Sequence, residues 1–253
     1  MKNYRKLLAG SLALLFAVGI TGCSNTSGGG TGVANEDGLV VLNVASTGQP
    51  VSFDPADANL VVNEYTEYDC YDTLLDFNQD GTDVVPALAE SWEQVDDLTY
   101  TYKIREGVKF SDGSDLTMDD VLYSLNRVRE DAYGMSYLFE HVDSFEVDEK
   151  TRTLTVHLTQ PDSTWKYVPA TTPCQILKKS VVEAEGDAYG TNEGSVVGTG
   201  PYKFVSWAAD SQIVLEKNEY WWGGADNLAI DKINFFVMKD ASTIALAVFQ
   251  LRI

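Results

Sequence analysis

The amino-acid sequence predicts an α/β fold that is built on a mixed sheet, with an α+β arrangement as the alternative. Thr99–Phe110 and Thr151–Gln160 alternate apolar and polar residues, as half-buried strands do. Between these strands, apolar residues recur at helical spacing from Val121 to Val128. A tight hairpin and long connections are both present, so parallel and antiparallel pairs can share the sheet.

The N-terminal elements are a strand, a loop and a helix. Leu39–Ser46 is apolar and rich in β-branched residues, which predicts a buried strand. The loop that follows carries two prolines, and tyrosines spaced three to four residues apart then predict a helix over Asn63–Leu75. Asn78–Thr82 has turn chemistry and separates this helix from the next strand.

The C-terminal third predicts two helices, a hairpin and a strand. A short helix is expected over Lys178–Gly190, and Gly200–Asn218 has the pattern of a hairpin that turns at Ala208–Asp210. Ile230–Asp240 predicts a strand, and Asp240 is the expected N-cap of a final helix. The chain stops inside that helical pattern, so we expect a truncated product.

The N-terminus has the layout of a secretory signal. Three basic residues precede the apolar run Leu7–Ile20, which is shorter than the ~20 apolar residues of a membrane span. Small residues before Cys23 resemble the bacterial lipobox; ordinary signal cleavage beside an incidental cysteine is the alternative. We expect a signal peptide at 1–22, a lipidated Cys23 and a flexible Gly/Ser/Asn-rich tether over 23–38. The protein would then be extracytoplasmic and anchored to the cell membrane.

The charge and the cysteines narrow the function classes. The formal net charge is −20, which disfavours nucleic acid and argues against lying flat on an anionic lipid surface. Beyond Cys23, only Cys70 and Cys174 remain. Their separation gives no geometric support for a disulfide, so small buried residues are the favoured interpretation, with pairing left open.

An acidic cluster interrupts the middle of the chain, and three interpretations compete for it. Its members are Asp112, Asp115, Asp119 and Asp120. A calcium loop that begins at Asp112 would need Gly at position six and Glu at position twelve, where Thr117 and Tyr123 stand. Nothing in the flanking residues suggests the burial that raises the pKa of a catalytic carboxylate.

A strand–turn–helix joint accounts for the same residues. Phe110 would end the strand, and Gly113 would supply a positive φ in the turn. Thr117 and Asp120 have capping-box spacing at the start of the following helix. We therefore predict structural roles for these aspartates, with no ligand of their own.

Signatures of enzymes are missing from the sequence. It contains no H-E-x-x-H, no C-x-x-C and no phosphate-binding loop, and neither His141 nor His157 accompanies a nucleophile motif. The segment "GTGPYK" lacks the third glycine of a dinucleotide fingerprint and precedes a strand. The sequence therefore predicts a protein that is not an enzyme and has no cofactor and no metal site.

Four segments in order resemble a known family. They are "PALAESWE" (Pro86–Glu93), "TYTYKIREGVKFSDGSDLTMDDVLYSL" (Thr99–Leu125), "GTGPYKFVSW" (Gly198–Trp207) and "KNEYWWGG" (Lys217–Gly224). This pattern resembles the family-5 extracellular solute-binding proteins, the receptors of oligopeptide, dipeptide and nickel importers. The resemblance implies a two-lobed receptor of the periplasmic-binding-protein type II architecture, of which residues 39–253 would form an incomplete first lobe without the second.

The resemblance also implies which residues line the ligand cleft. The loop after "SFDP" would offer extended backbone to a peptide through Asn59, Leu60 and Val61. Tyr133 would contribute a phenol, and Thr171 would lie nearby. Trp221 and Trp222 are interpreted as packing residues.

The implied function is that of a substrate-binding protein of an ABC importer. It would capture short peptides as a monomer and deliver them to permease subunits, with membrane contact through the lipid anchor alone. A sensor or adhesin is the alternative use of such a receptor, and a nickel chelate or an oligosaccharide is the alternative solute. A peptidase is disfavoured.

Overall fold

The structure, a computed structural model, describes residues 33–34, 38–57, 61–130 and 134–251. The strands in these ranges are β1 (Val33–Ala34), β2 (Val40–Ser46), β3 (Leu75–Phe77), β4 (Val84–Pro86), β5 (Ala89–Asp96), β6 (Thr99–Ile104), β7 (Val142–Asp148), β8 (Thr153–Leu158), β9 (Tyr202–Ala208), β10 (Gln212–Lys217) and β11 (Lys232–Val237). The α-helices there are α1 (Val61–Cys70), α2 (Met118–Arg129), α3 (Lys179–Glu185) and α4 (Ala241–Leu251). These elements belong to one compact unit, Gly32–Ile253.

The larger sheet is mixed and has the order β1-β2-β11-β10-β9. β2 runs parallel to β11, with Val44 opposite Phe235, and the other neighbours are antiparallel. The core beside this sheet contains Ile213, Leu215 and Ile233. The predicted α/β class with a mixed sheet is therefore confirmed.

A second sheet of four antiparallel strands has the order β5-β6-β8-β7. Along β6 and β8, every second side chain is buried, as the alternation predicts, and these side chains pack with α2 in a second core. β3 and β4 form a separate two-stranded ribbon.

Three predicted elements need correction. β2 is half-buried instead of buried, and Leu42 is 39% exposed, because the strand lies next to the two-residue β1 near the edge of the sheet. α1 ends at Cys70, whose carbonyl accepts a hydrogen bond from Gly200 at 3.0 Å, so Leu75 lies in β3. β6 ends at Ile104 instead of Phe110, because Gly107 turns the chain with a φ of 71°.

The aspartate cluster is the predicted turn and helix start. Gly113 has a φ of 84°, and Thr117 and Asp120 form a capping box with hydrogen bonds of 3.1 and 3.0 Å. The remaining members pair with lysines in the ion pairs Asp112–Lys178, Asp115–Lys109 and Asp119–Lys179. One expectation was wrong: Asp120 is buried, because its carboxylate also accepts the backbone N–H of Lys179 and joins α2 to α3.

The C-terminal predictions agree with the structure. β9 and β10 form the predicted hairpin, and Asp210 in its turn has a φ of 57°. Asp240 caps α4 and accepts the backbone N–H of Ser242 at 2.8 Å. Within the described ranges, no helix is both long enough and apolar enough to cross a membrane.

The predicted N-terminal segments lie mostly outside the described residues. This applies to the signal peptide at 1–22, to Cys23 and to most of the tether. Val33–Ala34, which lie within the predicted tether, form β1 and pair with Val40 and Val41 of β2.

Candidate functional site

The base of the predicted peptide-facing loop is fixed by a buried ion pair. The guanidinium of Arg127 on α2 donates a hydrogen bond to each carboxylate oxygen of Asp54. The side chain of Arg127 is only 12% exposed and that of Asp54 only 6%. Asp54 also accepts the backbone N–H of Ala56 at 3.1 Å. A two-pronged charged contact of this kind fixes orientation as well as distance, so the "SFDP" segment is anchored to α2.

A close backbone approach holds the same segment from the other side. Phe53 donates its N–H to the carbonyl of Gly190 at 2.7 Å. Gly190 has a φ of 72°, and a Cβ there would lie 2.6 Å from the backbone nitrogen of Asp54. Only glycine satisfies both the conformation and the space. The loop therefore leaves a rigid base.

The segment that contains Thr171 lies against this anchored loop. Thr171 separates two 3₁₀ turns, Val168–Ala170 and Thr172–Cys174, and the second packs against the turn Pro55–Asp57. Thr171 is half-buried, and its hydroxyl donates to the carbonyl of Val168 at 2.7 Å. The structure thus places the Thr171 segment beside the base of the predicted peptide-facing loop.

The other predicted cleft residues are described in part or not at all. Asn59, Leu60 and Tyr133 lie outside the described residues. Val61 is the first residue of α1, and its side chain is not described. For these four positions, the ligand-contact role stays a prediction.

The motifs that carry the family resemblance meet at the end of α1. A Cβ on Gly200 would lie 2.5 Å from the carbonyl carbon of Cys70, and a Cβ on Gly198 would collide with the oxygen of that carbonyl. Gly198 in turn accepts the backbone N–H of Ser111 at 2.8 Å. The "GTGPY" turn therefore packs between the end of α1 and the turn that begins at Ser111.

Asp72 also contacts the "GTGPY" turn near the end of α1. Its Oδ2 accepts hydrogen bonds from the Thr199 hydroxyl at 2.8 Å and from the Trp222 indole at 2.9 Å. The pKa of Asp72 is raised to about 6, mainly because burial removes water from its carboxylate. The two hydrogen bonds lower this pKa, and the nearby Asp76 carboxylate raises it. The Arg105 guanidinium stacks 4.5 Å from the centre of the Trp222 ring. Trp222 is therefore a packing residue, as the sequence predicts.

Both cysteines of the described ranges are buried and free. Burial raises the pKa of the Cys174 thiol to about 12 and moves that of Cys70 well above its usual range. Thiols in such surroundings react slowly, so packing is their role. The interpretation of both cysteines as small buried residues is confirmed.

Within the described residues, no cluster of His, Cys, Asp and Glu side chains is arranged to hold a metal ion.

Sequence reasoning missed the residues that organise this region. Arg127 lies on a helix that the sequence does predict, but its partner Asp54 is 73 positions away, and Asp72 contacts Trp222 across 150 positions, so no local pattern reveals either contact. The paired glycines of "GTGPY" were the one available clue, because two glycines so close together indicate a tight backbone approach.

Comparisons with known proteins cover most of the chain. The sequence profile of the bacterial extracellular solute-binding proteins, family 5 Middle, matches residues 83–250. The dipeptide-binding protein DppE of Bacillus subtilis is 28% identical, and the match covers 96% of this chain and 48% of the relative. The dipeptide-binding protein of Escherichia coli is 31% identical over 79% of this chain and 41% of its own length.

A solved relative has the same fold. The periplasmic binding protein DppA of Helicobacter pylori, in complex with the peptide STSA, aligns with a TM-score of 0.72 and 28% identity over 84% of this chain and 45% of that chain. The present chain thus spans about half the length of the relatives it matches. Its architecture is that of the periplasmic-binding-protein type II receptors. By profile, by relatives and by fold, the chain belongs to the bacterial extracellular solute-binding proteins of family 5.

Proposed function

We propose that this protein is the substrate-binding component of an ABC importer that captures short peptides outside the cytoplasm. The observation that carries the proposal is the fold shared with a peptide-bound relative at 28% identity, together with dipeptide-binding relatives in two organisms. Residues 39–253 would supply one lobe of a two-lobed monomeric receptor, which hands the peptide to permease subunits.

The peptide would lie along the loop 58–61. There it would pair with the backbone of Asn59, Leu60 and Val61, in a mode that recognises peptides with little regard to side chains. Tyr133 would pack against it and Thr171 would flank it. The anchoring of the loop base by Asp54 and Arg127 supports this role, since a pre-organised loop loses less entropy when a ligand binds.

The same proposal includes a lipid anchor. Residues 1–22 would be removed as a signal peptide, Cys23 would carry the lipid, and the residues up to Gly38 would act as a tether. A Cys23→Ser variant should then lose incorporation of an alkyne-tagged fatty acid and move from the membrane fraction to the soluble fraction. Equal labelling of variant and wild type would contradict the anchor without touching the peptide-binding proposal.

Native mass spectrometry of the full-length mature protein as purified tests the ligand class. We expect satellite masses that correspond to peptides of a few residues, and these should disappear after partial unfolding and dialysis. Titration calorimetry with defined di- and tripeptides should then show saturable binding. A copurified sugar or metal mass, with no response to peptides, would overturn the peptide assignment.

A further inference from the structure

A small polar pocket lies beside the C-terminal half of α1. It has a volume of about 60 Å³, which is room for roughly one or two water molecules or the tip of an amine. Its walls come from α1, β3 and the segment after the second 3₁₀ turn. The lining includes Tyr68, Asp72, Thr73, Asp76, Ala87 and Gln175.

Gln175 is the reason to expect an occupant. Its side chain is 1% exposed, and neither Oε1 nor Nε2 has a hydrogen-bond partner among the described residues. Its backbone N–H is satisfied by the carbonyl of Thr172 at 3.0 Å, so only the carboxamide is unmatched. A buried polar group without a partner costs about 1–3 kcal/mol. This side chain is therefore placed to bind something that enters the pocket.

The surrounding groups select a cation with several N–H donors. Asp72 uses only Oδ2 in its bonds to Thr199 and Trp222, and its Oδ1 accepts none from the described residues. Asp76 is exposed beside it, and neither carboxylate forms an ion pair with a described lysine or arginine. These carboxylates and the oxygen of Gln175 offer acceptors to an ammonium group, which has three donors.

The electrostatics of Asp72 fit the same occupant. Loss of hydration and the nearby Asp76 both raise the pKa of Asp72, against its two hydrogen bonds. A positive charge in the pocket would compensate for the lost hydration and for the repulsion between the carboxylates. A metal ion fits less well, because no described group of three or more ligating side chains is arranged to hold one.

The position of the pocket suits a side chain of a bound peptide. The Thr172 hydroxyl, next to Thr171, donates to the Tyr68 hydroxyl at the pocket wall at 3.0 Å. Val61 and Tyr68 are seven residues apart on α1, which is about 10 Å of helix. An extended peptide covers that length in about three residues.

We infer that this pocket is a subsite for the ammonium group of a lysine side chain in a bound peptide. The inference rests on the proposed peptide-binding function and gives it a side-chain preference. The amino terminus of a peptide carries the same chemistry and is the other source of such a group.

Calorimetry with matched peptides tests the subsite. Tetra-alanine receives lysine at each position in turn and, in parallel, norleucine, which keeps the carbon chain without the charge. At one position the lysine peptide should bind about tenfold more tightly, as expected for a hydrogen-bonded charge. A peptide that lacks its terminal amine is measured as well. Comparing its affinity with that of the intact peptide shows whether the amino terminus is the group that binds Gln175.

Three variants locate the effect. Gln175→Leu and Asp76→Asn should each reduce the tenfold preference to about twofold, whereas Asp80→Asn, on the neighbouring exposed turn, should leave it intact. Gln175→Leu should unfold at the same or a higher temperature than wild type, because it removes an unmatched buried group.

The outcomes separate the two proposals. Equal affinities for lysine and norleucine peptides, or a preference that survives both pocket variants, would overturn the subsite while peptide binding stands. If Gln175→Leu reduces only the affinity that the peptide gains from its terminal amine, and leaves the lysine preference unchanged, the assignment to a lysine side chain is overturned. Failure of every peptide to bind would overturn the proposed function and the subsite with it.

Discussion

At the scale of single residues, buried charges hold the candidate site together. Asp54 and Arg127 form an ion pair that is mostly buried, whereas the other ion pairs of the described chain are more exposed. Exposed pairs contribute little to stability, but removing one partner of a buried pair leaves an uncompensated charge. The base of the predicted peptide-facing loop therefore has its charged anchor in one guanidinium.

Arg127→Ala should lower the free energy of unfolding by about 3–5 kcal/mol, because the Asp54 carboxylate is then buried alone. Lys109→Ala is the matched control: it breaks the pair with Asp115, whose side chains are 40% and 75% exposed, and should change stability by about 0–1 kcal/mol. Urea denaturation measures both. Similar small losses in the two variants would contradict this account of Asp54.

Asp69 should make the folded protein less stable as the pH rises. Burial raises the pKa of this carboxyl from 3.8 to about 7. The folded state thus holds the proton more tightly than the unfolded state, and this contribution to stability is complete below about pH 4 and is lost as the pH rises through 7. Above pH 7 a charged, poorly hydrated Asp69 opposes folding.

Asp69→Asn should therefore stabilise the protein at pH 8 by an amount on the order of 2–4 kcal/mol, and the gain should shrink towards zero near pH 4. Thermal or urea unfolding of variant and wild type across this range measures the difference. Asp97→Asn, on an exposed turn, controls for the general loss of negative charge. A gain at pH 8 that persists undiminished at pH 4 would argue against the titration of Asp69.

At the scale of elements, the contact between the "GTGPY" turn and α1 is the tightest backbone approach at the junction. Gly200→Ala would place a Cβ 2.5 Å from the carbonyl carbon of Cys70 and 2.7 Å from the nitrogen of Tyr71. Since backbone cannot move aside as a flexible side chain can, we expect a loss of at least about 2 kcal/mol in the free energy of unfolding.

Gly134→Ala provides the comparison, because a Cβ there meets nothing within 4 Å. Its effect should stay within about 0.5 kcal/mol. Chemical denaturation of both variants gives the two numbers. Equal stabilities would show that the turn can shift away from α1.

The predictability of each element follows its burial pattern. β6 and β8 were predicted because each has one face in the core and one in water, which imposes strict alternation. β5 was missed, because six of its eight residues are exposed and its sequence shows no apolar period. α1 was extended too far, since Leu75 keeps helical spacing, and only the distant Gly200 defines where the helix stops.

The candidate site was predictable only where local chemistry determines it. The capping box and the turn of the aspartate joint use residues within a few positions of one another, so the sequence contains the whole feature. The Asp54–Arg127 pair spans 73 positions, and the contact of Asp72 with Trp222 spans 150. Contacts of this length leave no periodic trace in one sequence.

At the scale of the whole molecule, the proposed peptide binding should stabilise the folded state by mass action. A peptide at 100 times its Kd adds about 2.7 kcal/mol, which raises the Tm of a domain of this size by roughly 5–10 °C. Scanning calorimetry with and without peptide measures the shift. An all-D peptide of the same composition should give none, and an equal shift with both would contradict specific recognition.

The order of the larger sheet has a consequence for synthesis and export. The parallel partner of β2 is β11, and Val40 bonds to Asp231, 191 positions later. At about 5–20 residues per second, a ribosome needs roughly 10–40 s to cover that distance. Throughout this interval the first long strand has no parallel neighbour, so the larger sheet cannot close. A delay of this kind suits a chain with the proposed signal peptide, because a translocation channel threads segments that have not yet folded.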